Sequence, residues 1–131
     1  MRASIWLPGM TVRSKQHSSR ISDGRGRHMM FRDPAYTALK TELHLRATAA
    51  LMRAGWTAPT EERVAMRLTY RGRFDLDNAA GFVMDALEGA AYVRDSQIAI
   101  MTVAKRPAGE IGLTITVREI GAKKGNRRAN D

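Results

Sequence analysis

RFDLDNAAGFVMDALEGAAYVRDSQ, residues 73–97, is the stretch on which the reading of this chain turns. Asp75, Asp77, Asp85 and Asp95 stand in largely apolar surroundings, within a protein of formal net charge +9. A protein this basic meets a polyanion. Carboxylates held inside it need a reason of their own, and a divalent cation is the first candidate. Asp77 and Asn78 are both good helix caps, and Ala79 to Glu88 reads as a helix stopped by Gly89. Phe82, Val83, Ala86 and Leu87 form its apolar face.

On the N-terminal side, RVAMRLTYR at 63–71 alternates. Val64, Met66, Leu68 and Tyr70 point one way and Arg63, Arg67 and Arg71 the other, which predicts a half-buried strand with a basic face. On the C-terminal side, QIAIMTVA at 97–104 and GLTITVRE at 112–119 read as strands. Pro107, Ala108 and Gly109 between them predict an antiparallel hairpin. A helix-length crossover from 78 to 91 lets two parallel neighbours present residues 75, 77 and 95 at one sheet edge.

If the Asp75–Asp77 stretch is extended, both side chains leave the same face. Converging carboxylates repel one another unless a cation sits between them. Three of them suit Mg²⁺, with Mn²⁺ as a possible substitute. Structural roles compete: either acid of a D-x-D pair can serve a cap or turn, Asp95-Ser96 can simply open a strand, and Asp85 can be a solvated helix flank. His17, His28 and His44 show no metal-ligand spacing, and Gly24-Arg25-Gly26-Arg27 lacks the Gly-Lys-Ser/Thr ending of a phosphate loop.

Farther out, residues 3–7 read as a short strand ended by Pro8-Gly9, and 28–31 as a returning strand after a basic loop or hairpin over 11–30. Asp33 as N-cap, Pro34 at the first helical position and Gly55 as terminator bracket a helix. Its buried face is Tyr36, Leu39, Leu43, Ala47 and Ala50, and Trp56 packs near its end as core. The expectation is an α+β fold: one small domain over 1–121, with a mixed β-sheet and two main helices. A basic tail at 122–131 is expected to be disordered. Residues 1–32 carry a net +6, the tail +3, and 33–121 sum to zero, so basic flanks surround a neutral centre.

The chain has no cysteine, which excludes disulfides and thiolate metal sites. The opening apolar run is too short, and too soon broken by Pro8, for a signal peptide. No run has the length to cross a bilayer, so a soluble cytoplasmic protein is expected.

D-L-D-N, then V-M-D-A-L-E-G, then A-Y-V-R-D-S-Q-I and a strand ending in Lys105 together resemble the RusA family of Holliday junction resolvases. The resemblance covers about residues 63–119. It implies a Mg²⁺-dependent endonuclease acting as a homodimer on branched DNA, each subunit nicking one of two symmetric strands, in a bacterial or phage setting. It implies Asp75, Asp77 and Asp95 as catalytic, metal-binding acids, with Asn78 and Asp85 at further recurrent positions. The family carries a lysine four residues after the second motif aspartate, where this chain has Gly81. The family also writes two adjacent acids later in the motif, and here the first is Arg94. Arg73, Arg94 or Lys105 can supply the missing charge. Basic residues expected on DNA are Arg13, Lys15, Arg20, Arg25, Arg27, Arg71, Arg73, Arg94 and Lys105. The competing expectations are a catalytically weak or inactive nucleic-acid-binding protein on the same scaffold, and an RNA- or ribosome-binding protein whose acids are caps.

Overall fold

Alternation of apolar and polar residues builds the central sheet, and two amphipathic helices cover one of its faces. The computed structural model describes residues 1–12, 19–22, 28–31, 34–72, 75–106 and 109–121. In chain order the elements are β1 (Arg2–Pro8), β2 (Ser19–Ser22), β3 (His28–Phe31), α1 (Pro34–Arg53), β4 (Arg63–Arg71) and α2 (Leu76–Ala86). A 3-10 turn (Asp95–Gln97), β5 (Ile98–Lys105) and β6 (Gly112–Gly121) follow. The result is a small α+β domain with a mixed four-stranded sheet in the order β1-β6-β4-β5. β2 and β3 pair antiparallel as a separate ribbon, so the returning strand at 28–31 is present. Asp33 and the tail at 122–131 lie outside the described residues.

Ala3, Ile5 and Leu7 of β1, Val64, Met66, Leu68 and Tyr70 of β4, and Leu113, Ile115 and Val117 of β6 are buried. Tyr36, Leu43, Ala47, Ala50 and Leu51 of α1 and Ala79, Phe82, Val83 and Ala86 of α2 meet them. Each large apolar side chain so removed from water contributes about 1.5–3 kcal/mol. Trp56 is buried and its Nε1 donates to the Ala91 carbonyl at 2.9 Å, which ties the end of α1 to the segment beyond α2.

Two expectations change. β5 and β6 are not neighbours: β5 pairs parallel with β4, and β6 pairs antiparallel with both β4 and β1. Strand alternation specifies which side of a strand is buried but not which strand lies beside it. The connection between β5 and β6 has only to step across β4, about 10 Å at ordinary strand spacing. Backbone bonds at both of its ends, Arg106 N to Tyr70 O and Gly9 N to Ile111 O, hold it there.

The second change concerns the start of α2. Asp75, not Asp77 or Asn78, is its extended N-cap residue, at φ −68° and ψ 159°, and its carboxylate makes no capping hydrogen bond. Asp77 sits in the first helical turn, where a negative side chain is favoured by the helix dipole. The two acids therefore do not share a strand face.

Gly81 lies inside α2 without a positive φ, and a Cβ built there meets nothing within 4 Å. Gly81→Ala is expected to stabilise the fold by about 0.5–1 kcal/mol, since glycine in a helix interior loses more backbone freedom than alanine. Urea denaturation measures the gain, and an unchanged or lowered midpoint would contradict it.

Candidate active site

The segment between α2 and β5 is held by bonds that its own sequence supplies. Gly89 takes a left-handed φ of +82° and donates its N–H to the Tyr92 carbonyl at 2.7 Å, closing a tight loop. The Tyr92 hydroxyl donates back to the Met84 carbonyl of α2 at 2.6 Å. The Thr60 N–H donates to the Ala91 carbonyl, and the Val93 N–H to the Thr60 carbonyl. Gln97 completes the frame. Its Oε1 accepts the N–H groups of Val93 and Arg94 at 2.9 and 2.8 Å, and its Nε2 donates to the carbonyls of Thr60 and Glu62, both at 2.8 Å. One amide thus locks the turn that carries Asp95.

Carboxylate oxygens of Asp85, Glu88 and Asp95 lie within 4.8 Å of one another. Among the described residues this is the group of three acids with metal-ligand spacing. Tyr92 lies against them. Its hydroxyl pKa is pushed well above the usual tyrosine value, first by burial and then by the charges of Glu88, Asp95 and Asp85. The acids also gather at the C-terminal end of α2, the negative pole of the helix, whose last turn has no basic residue. All-oxygen donors of concentrated negative charge are the set a hard divalent cation prefers, so Mg²⁺ or Mn²⁺ fits these residues.

The other sequence-predicted acids are elsewhere in the subunit. Asp75 and Asp77 follow the C-terminal end of β4, whereas Asp95 precedes the N-terminal end of the parallel strand β5. Parallel strands need a crossover that carries the chain back to the starting end, so these positions fall at opposite ends of the β4–β5 pair and not at one edge. The helical rise from Asp77 to Asp85 alone is about 12 Å. Asn78 sits beside Asp77, its N–H donating to Asp77 Oδ1 at 2.9 Å.

Glu88 went unnoticed in the sequence as a member of the acid group. The signal for it was its place three residues after Asp85, just past the end of α2, where the Glu88 N–H turns back to the Asp85 carbonyl. Gln97 also escaped notice, because its four partners come from two separate segments.

Of the basic candidates, Arg71 and Lys105 lie at the C-terminal ends of β4 and β5, and Lys105 stands in register with Tyr70. Arg94 is exposed next to Asp95. Arg20 lies on β2. Arg13, Lys15, Arg25, Arg27 and Arg73 lie outside the described residues. On the sheet face turned from the helices, Arg2, Arg67 and Arg118 border a depression of about 290 Å³ with Ile100, Thr102 and Thr116.

The family described as Endodeoxyribonuclease RusA matches residues 9–118. The chain belongs to the RusA family. RusA membership implies Holliday junction resolvase nuclease activity and a branched DNA substrate. Among curated proteins, none matches the chain. The part that matches RusA contains Asp75, Asp77, Asp85, Glu88, Asp95 and Gln97. No helix among the described residues is long and apolar enough to cross a membrane.

Within this RusA domain, Gln97→Leu removes four hydrogen bonds around a half-buried amide. A loss of about 2 kcal/mol is expected, given roughly 0.5–1.5 kcal/mol net per bond and partial compensation by water. Chemical denaturation reads it, and a midpoint equal to that of the unmodified chain would show that the amide does not hold the turn.

Proposed function

We propose that this chain is a divalent-metal-dependent endodeoxyribonuclease that resolves four-way DNA junctions by paired symmetric nicks. It works as a homodimer in the cytoplasm, encoded by a bacterium or a phage. The observation that carries this reading is the convergence of Asp85, Glu88 and Asp95 on a chain of net charge +9. Mg²⁺, or Mn²⁺ in its place, is held at Asp95 with Asp85 and Glu88 beside it, and Asp75 and Asp77 complete the catalytic set with Asp95 across the dimer. When bound, the ion supplies an activated water and charge neutralisation at the phosphodiester.

The chain's own residues hold and orient. Gln97 fixes the turn that aims Asp95, and Tyr92 braces the same segment on α2. A two-fold homodimer can bring the Asp75–Asp77 end of one copy to the Asp95 end of the other, uniting acids that one subunit keeps apart. The approximate two-fold symmetry of a four-way junction matches such a dimer. Arg71, Arg94 and Lys105, with Arg13, Lys15, Arg20, Arg25, Arg27 and Arg73, hold the DNA backbone by charge and shape more than by base reading.

A second reading, a junction-binding protein that cuts slowly or not at all, draws on Gly81, which leaves open space where a cationic side chain would fit. Incubating the full chain with a synthetic four-way junction and Mg²⁺ separates the two. Paired nicks in opposing strands are expected, and Asp77→Asn should abolish them while junction binding persists. Binding without cleavage in both Mg²⁺ and Mn²⁺ favours the second reading. Equal affinity for the junction and for linear duplex overturns both.

A further inference from the structure

A pocket of about 230 Å³ opens between α1 and α2, at the end of α2 where the acids gather. Lys40, Thr41 and His44 of α1 form one wall, and Asp85, Ala86 and Glu88 form the other. Lys40 and His44 are four residues apart and so share one helix face. His44 Nδ1 lies 2.9 Å from the Ala86 carbonyl. A carbonyl only accepts, so Nδ1 carries the proton and the ring is fixed against α2. The Lys40 ammonium stands 5.9 Å from the centre of the Tyr36 ring, one turn earlier. Tyr36 in turn packs edge-on against Phe82 of α2, with ring centres 5.4 Å apart. The basic wall is thus braced on the helix that bears the acids.

The two walls ask for different charges. A lone anion is repelled by Asp85 and Glu88, and a lone cation by Lys40. A phosphodiester beside a bound divalent cation satisfies both, because its oxygens accept from an ammonium and a hydroxyl while also facing the metal. We propose that this pocket seats a backbone phosphate of the DNA substrate, with Lys40 and Thr41 donating to its non-bridging oxygens beside the acid group and His44 fixing their helix against α2. The inference rests on the nuclease reading above.

Binding of the full chain to a synthetic four-way junction, measured in Ca²⁺ over a range of salt, gives the number of phosphate contacts. Single-turnover cleavage in Mg²⁺ gives the rate. Lys40→Gln is expected to lower the salt slope by about 0.9, the loss of one contact. It should also slow cleavage by about 100-fold. Lys40→Arg should restore the slope, and all three proteins should melt alike. A slope and a rate both unchanged in Lys40→Gln overturn the proposal. So does an unchanged slope with tighter Mg²⁺ binding, which would make Lys40 only a counter-ion to Asp85 and Glu88. A wild-type chain that neither binds nor cuts junctions instead overturns the nuclease reading on which the proposal stands.

Discussion

Asp95→Asn is expected to reduce junction cleavage by at least about 100-fold while the fold and junction binding persist. Substitutions one shell out from a metal already lose 10–100-fold in affinity or activity, and loss of a direct ligand loses more. The change keeps the size of the side chain and removes only its charge. The turn that carries it depends on Gln97 and on backbone groups of Thr60, Glu62, Val93 and Arg94, none of which the substitution touches. Binding should hold or tighten, because one negative charge facing a polyanion is gone. Single-turnover cleavage and a gel-shift titration on the same preparation measure the two effects. Near-normal cleavage by Asp95→Asn would remove Asp95 from the chemistry.

Trp56→Ala is expected to destabilise the domain by about 3–5 kcal/mol, the range for truncating a large buried aromatic. The ring is 1% exposed and is among the largest fully buried side chains. For a chain of this length the melting temperature should fall by roughly 10 °C or more. Trp56 also donates to the Ala91 carbonyl, which accepts from the Thr60 N–H as well. Ala91 lies between Glu88 and Asp95, so the damage should reach the acid group. Trp56→Phe keeps most of the apolar surface and loses the indole N–H. Its smaller cost, about 1 kcal/mol for the hydrogen bond, separates that bond from the packing. Thermal unfolding of both variants decides, and an Ala variant that melts within a degree or two of wild type would contradict the role of Trp56 as an anchor.

Much of the architecture was legible because it depends on local periodicity. Pro34, the Tyr36-to-Ala50 stripe and Gly55 bracketed α1, and the alternation of Val64, Met66, Leu68 and Tyr70 marked β4 with its buried face. The parallel β4–β5 pair followed from the length of the crossover between them. Strand neighbours were less legible. GLTITVRE carries the same alternation whether it pairs with β5 or slots between β1 and β4, and only the assembled sheet chooses.

The acid region divided in the same way. Its residues stood out in the sequence, but a crossover places Asp75 and Asp77 at one end of α2 and Asp85, Glu88 and Asp95 at the other. Gln97 joins Thr60, Glu62, Val93 and Arg94, partners up to 37 residues away, and no spacing rule reveals such a contact.

Anomalous diffraction from crystals grown with Mn²⁺ tests the metal site most directly. A peak ligated by Asp95 together with neighbouring acids is expected, and it should vanish from Asp95→Asn crystals. A peak remote from Asp75, Asp77, Asp85, Glu88 and Asp95, or one of undiminished height in Asp95→Asn, would contradict a metal-dependent nuclease centred on Asp95.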